Sequence, residues 1–120
     1  MGVNKTTPAT LHLAISTGPS DGATIAALRL ADRAIARGSR VSVYAFGEGA
    51  RVAAEGSATA DHVRALLRTG VHGGLLSWVV DRQALSTCAA RNQVPGVIEG
   101  DGGDLWHFVR DADVSLGVSR

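Results

Sequence analysis

Short apolar runs alternating with longer helical patterns predict an α/β fold: a three-layer α/β/α sandwich around a mainly parallel sheet of four or five strands. Two further features agree. An alanine-rich amphipathic segment early in the chain has the shallow apolar face that lets a helix sit close to a sheet. The 120 residues, 45% of them hydrophobic and 4% aromatic, leave room for one core and no second.

Residues 1–10 carry no apolar periodicity, paired threonines and Pro8, and read as a loose leader; a single domain then runs over 11–120. The opening MGVNKT has the spacing of an N-myristoylation signal, but that pattern demands little beyond Gly2 and Thr6, and the segment reads instead as an ordinary solvated start. LHLAIS is the first strand. A helix follows over about 21–37, with Arg29, Asp32, Arg33 and Arg37 on one stripe and Ala27, Leu28, Ala31 and Ile35 on the other. Gly38 ends it as a left-handed cap. RVSVYAFG is the second strand, ADHVRALLRTG a helix and GGLLSWVV the third strand. DRQALSTCAARNQV reads as a loop followed by a short helix, PGVIEG as a short extended piece with a turn, GDLWHFVRDA as a helix and DVSLGV as the last strand.

Twelve basic and eleven acidic residues give a net charge of +1, too balanced for the field that non-specific nucleic-acid binding requires. The longest apolar runs fall far short of the roughly 20 residues that span a bilayer, and no signal-peptide core is evident, so a soluble cytoplasmic protein is expected. The single cysteine rules out an internal disulfide and every thiolate-rich zinc arrangement, and the four histidines lack metal-ligand spacing. No metal is expected.

With right-handed crossovers, chemistry belongs at the carboxyl ends of the strands, where TGPSDG, FGEG and DRQALSTC fall. The turn from Thr17 to Gly22 offers free backbone N–H groups to an anion, but it lacks a P-loop lysine, and Ser20 or Asp21 is equally suited to cap the following helix. Gly47-Glu48-Gly49 is a tight turn with Glu48 as a rim residue. Asp81, directly after the third strand, is either a base at a cleft or a helix cap. Cys88 depends on where its helix begins. With Asp81 as N-cap it lies well inside as a buried thiol; with Ser86 as N-cap it lies in the first turn, where the dipole favours thiolate and Arg91 adds positive charge. His12 reads as a satisfied sheet histidine, His62 and His107 as partly solvated, and Trp78, Trp106 and Phe108 as core or interface packing.

The run TGPSDGATIAALRLADRAIARGSRVSVYAFGEGA resembles the start of DsrE/DsrF-like proteins, which include the TusD-type sulfur-relay subunits. Cys88-Ala89-Ala90-Arg91-Asn92 resembles the family's cysteine-bearing segment, and VPGVIEGDGGDLWHFVRDADVSL its closing helix and strand. The likeness covers about residues 11–118. The chain departs from it in having Asp81 and Arg82 where many relatives carry a cysteine after the third strand, and Asn92-Gln93 in place of the usual Arg-Gly. The resemblance implies a sulfur carrier or sulfurtransferase subunit that holds sulfur as a persulfide on Cys88, with Arg91 and the local backbone stabilising the anion and Asp81 nearby. It needs no cofactor. It also implies a homotrimer or homohexamer, or a hetero-oligomer with related subunits, served by a protein sulfur donor and acceptor. The alternative is a non-catalytic binding or assembly subunit that keeps the fold.

Overall fold

A computed structural model describes residues 9–72 and 74–119. Of the leader, residues 1–8, with the myristoylation-like pattern, lie outside the described residues, and Thr10 already belongs to the first strand. Five strands, β1 (Thr10–Ile15), β2 (Arg40–Ala45), β3 (Leu76–Asp81), β4 (Ile98–Gly100) and β5 (Val114–Val118), form one sheet in the order β4-β3-β2-β1-β5. Every pairing is parallel. The helices are α1 (Gly22–Ala36), α2 (Ala60–His72), α3 (Arg82–Thr87) and α4 (Gly102–Asp111), with a 3₁₀ turn at Gly47–Arg51.

This order decides which face each helix covers. From β1 to β4 the chain steps across the sheet in one direction, so right-handed crossovers put α1, α2 and α3 on one face; the return from β4 to β5 puts α4 on the other. The main core lies under α1 and α2, and α3 covers a smaller cluster beside it on the same face. Leu13, Ile15, Val43 and Trp78 from the strands meet Leu28, Ala31 and Ile35 of α1 and Val63, Leu66 and Leu67 of α2. Ala27, Leu28, Ala31 and Ile35 form the buried stripe of α1, and Asp21 caps that helix through the Ala23 N–H at 2.9 Å. Gly38 takes φ 84° just beyond its end.

The segment after β3 differs from the sequence reading, because helix and loop occur in the opposite order. Helix α3 starts immediately at Asp81, whose carboxylate accepts the Ala84 N–H at 3.1 Å, and the loop follows it. Ala89 ends the helix in the left-handed region at φ 51°. The Ala90 N–H reaches back to Leu85 O at 2.9 Å and the Ala89 N–H to Ser86 O at 3.2 Å, which together make a Schellman closure.

Gly49 joins the 3₁₀ turn to the end of β1. A Cβ there would stand 2.0 Å from Ile15 O, so only glycine permits the approach.

The α4 face is thinner, since no residue of α4 is buried. Beneath it lies His12, fully buried. Its Nδ1 is 3.0 Å from both the carbonyl and the hydroxyl oxygen of Ser42, and its ring centroid is 5.3 Å from that of Phe108. The expectation of a satisfied histidine holds for one ring nitrogen, because Nε2 has no partner among the described residues. His62 is partly solvated and bonds Asp32 at 2.7 Å, and exposed His107 bonds Arg110 at 2.8 Å.

Burial lowers the His12 pKa below its ordinary 6.5, against a smaller opposing effect of the Ser42 carbonyl. Between the folded-state value and 6.5 only the unfolded chain binds this proton, so stability should climb with pH through that window and level off above it. Urea melts across a pH series test this. His12→Gln should flatten the climb, and an undiminished climb in the variant would assign it to other groups.

Candidate functional site

The carboxyl ends of β1, β2 and β3 meet at one end of the sheet and carry the three turns singled out in the sequence. Ser16 to Asp21 and Glu48 line an open cleft of about 650 Å³, so Glu48 is indeed a rim residue. A second cleft of about 530 Å³ opens between the ends of β3 and β4, lined by Asp81, Arg82 and Asp101 among others. Helix α3 leaves β3 toward one face and α4 leaves β4 toward the other, which makes this the switch point of the sheet.

Asp81 is anchored on both sides. One carboxylate oxygen accepts the Tyr44 hydroxyl at 2.7 Å and the other accepts the Ala84 N–H. Burial, and then the bond to Asp81, push the Tyr44 pKa well above its ordinary value, so the phenol remains a proton donor. Tyr44 was not among the candidates from sequence. The available signal was a tyrosine inside a buried strand, whose hydroxyl must find a partner, with a carboxylate at the end of a neighbouring strand.

Cys88 sits at the other end of α3. The arrangement with Ser86 as N-cap, which would place the sulfur in a first helical turn, is not the one formed: Asp81 is the N-cap and Cys88 the C-cap. Six helical residues, roughly 9 Å, separate them. Cys88 is 6% exposed and packs with Ala45, Ala50, Val80, Ala84, Leu85 and Ala90. Its S–H donates to Gly47 O at 3.2 Å and lies 3.7 Å from Glu48 Oε2. Arg91, past the end of the helix, donates to the Ser86 hydroxyl at 2.7 Å. The structure thus joins Asp81 to Tyr44 and Cys88 to the Gly47–Glu48 turn, and directs Arg91 to Ser86. Among the described residues no three His, Cys, Asp or Glu side chains gather into a metal-binding group. The His72 side chain lies outside the description.

No protein-family model matches the chain, and no curated protein matches it. Solved structures do. The YchN protein of E. coli superposes with a TM-score of 0.75 at 12% identity, covering 91% of this chain and 98% of YchN. A protein of unknown function from Methanobacterium thermoautotrophicum, MTH1491, gives a TM-score of 0.66 at 18% identity over 85% of this chain and 89% of its own. The fold is DsrE-like. At these identities the likeness establishes the DsrE-like architecture and leaves the chemistry to this chain's own residues. No helix among the described residues is long and apolar enough to cross a membrane.

Two stability measurements probe the site. Tyr44→Phe removes a hydrogen bond to a carboxylate and should cost about 1.5–3 kcal/mol. Asp81→Ala removes that bond together with the cap, adding ~1 kcal/mol; in a double-mutant cycle the two losses should be clearly non-additive. Ala89→Gly relieves the left-handed strain and should stabilise by about 1 kcal/mol, seen as a higher melting temperature. An unchanged or lower value would contradict the closure described for α3.

Proposed function

We propose that this chain is a non-catalytic binding or assembly subunit of the DsrE-like fold, with Cys88 a packing thiol. The observation that supports this is the placement of the sulfur at the C-terminal end of α3, 6% exposed among alanine, valine and leucine side chains. A persulfide carrier needs a thiolate that a donor can reach and space for a second sulfur. Here the proton on sulfur is engaged by the Gly47 carbonyl. The adjacent helix end presents carbonyl oxygens, which repel an anion. Asp81 and Arg91 serve Tyr44, α3 and Ser86 instead of the sulfur.

Assembly is supported by apolar side chains left in solvent on an otherwise well-packed domain, above all Trp106, 73% exposed. The partners would be identical copies, as a trimer or hexamer, or related subunits. One observation favours the second reading, a sulfur carrier or sulfurtransferase with Cys88 as acceptor and protein donors and acceptors. Glu48, whose Oε2 lies 3.7 Å from the sulfur, also lines the first cleft, which brings that cleft within one residue of the thiol.

Labelling with a thiol reagent separates the two readings. Cys88 should react slowly in the native protein and rapidly when unfolded. Intact mass after incubation with a persulfide donor should show no added sulfur. Fast native labelling, with a sulfur-sized gain absent from Cys88→Ser, would establish the relay instead.

A further inference from the structure

We infer that β5 is a docking edge, to which an extended segment of a partner protein, apolar along its middle and acidic at its end, adds as a further strand of the sheet. This role rests on the binding reading of the domain and gives it a place and a partner. Strand β5 closes the sheet order, with β1 on one side and, among the described residues, no strand on the other. On the paired side the Ser16 N–H bonds Val118 O at 3.0 Å. Backbone groups alternate in direction along a parallel strand, so Val114, Leu116 and Val118 face β1, while Ser115 and Gly117 turn N–H and C=O outward. Natural edges are usually blocked by a charge, a proline, a bulge or a covering element. The sequence VSLGV has no charge and no proline, its register with β1 is unbroken, and only Val118 escapes full exposure.

The surface beside this edge selects an apolar middle for the partner segment. Val114, Leu116 and Val118 pair with Leu11, Leu13 and Ile15, whose side chains enter the main core, so all of them share that face of the sheet. Val118 is partly covered there, whereas Val114 and Leu116 stand in solvent. The placement of α1 leaves them so: its Asp32 flank is tied to His62 of α2, away from β5. Leu30, about 200° round the helix from Asp32, is exposed on the flank toward β5. Leu30, Val114 and Leu116 thus form a shallow apolar ledge along the bare edge, which alternate side chains of an added strand would cover.

Charge selects an acidic end, and a foreign strand over a second copy of this chain. Arg33 and Arg37 follow Leu30 at helical spacing on the same flank; both are exposed, and neither guanidinium has a partner among the described residues. Helix α1 runs antiparallel to the strands, so these arginines stand beside Val114, where β5 begins. The C-terminus of α1 offsets about half a charge of the pair, and the rest is unbalanced. Asp113, the carboxylate just before β5, is turned to the Thr10 N–H at 2.7 Å. Strand β5 carries no carboxylate of its own, so a second copy pairing edge to edge brings no countercharge. A partner strand with an acidic end does.

Fluorescence anisotropy on the intact chain tests this, with a labelled peptide that alternates valine with threonine and ends in glutamates as the probe. The expected result is saturable binding that Gly117→Pro abolishes. That substitution removes an outward N–H and leaves the bonds to β1, and a Cβ at Gly117 meets nothing within 4 Å, so the circular dichroism spectrum should stay native. Leu116→Lys, on an exposed side chain, should give the same loss and serves if Gly117→Pro does not fold. Joint replacement of Arg33→Glu and Arg37→Glu should weaken binding about tenfold at low salt and less at high salt. No binding overturns the inference, as does binding that both edge variants leave intact or that a lysine-ended peptide matches. Self-association lost in Gly117→Pro would assign the edge to a second copy and overturn it too. Failure of the binding reading itself is seen separately, in Cys88 labelling and intact mass.

Discussion

The carboxylate of Asp81 sets the geometry at the carboxyl end of the sheet. It holds the Tyr44 hydroxyl with one oxygen and the Ala84 N–H, in the first turn of α3, with the other, and the helix follows the last residue of β3 with no intervening loop. A helix that starts there and closes at Ala89 has only six residues. Its C-cap is Cys88. The chemical character of the cysteine therefore follows from a carboxylate at the opposite end of the same helix, and neither can be understood without the other.

The sheet order has a comparable reach. Three successive crossovers in one direction load one face with α1, α2 and α3, and a single return leaves the other face to α4. The loaded face carries the dense aliphatic core around Trp78 and α1. The other face is covered by one short helix over a buried histidine.

Much of this was legible in the sequence, because period and punctuation are local signals. The alternating runs announced a parallel sheet, and the alanine stripe of α1 with Gly38 beyond it is found where periodicity put it. The region after β3 was not so readable. There the competing N-caps, Asp81 and Ser86, are both good cap residues, and Asp81, the one used, is also held by Tyr44, 37 residues upstream, through a hydrogen bond no local pattern encodes. An alanine at the left-handed cap gave no warning either, since glycine is the usual sign. Exposure of Trp106 was open for a similar reason: amphipathic periodicity identifies faces, whereas crossover direction decides which of them is covered.

The contact of Gly49 with the Ile15 carbonyl bears on how fast the sulfur can become accessible. With no room for even a methyl group between them, the 3₁₀ turn packs directly on the end of β1, and the Phe46 N–H just before it bonds the same Ile15 carbonyl at 3.0 Å. What remains free is the Glu48 side chain, held at the rim by Arg51 at 3.0 Å in solvent. The turn whose carbonyl holds the thiol is thus tied to the sheet, so admission to Cys88 requires this packed region itself to open, in keeping with slow labelling of the native protein.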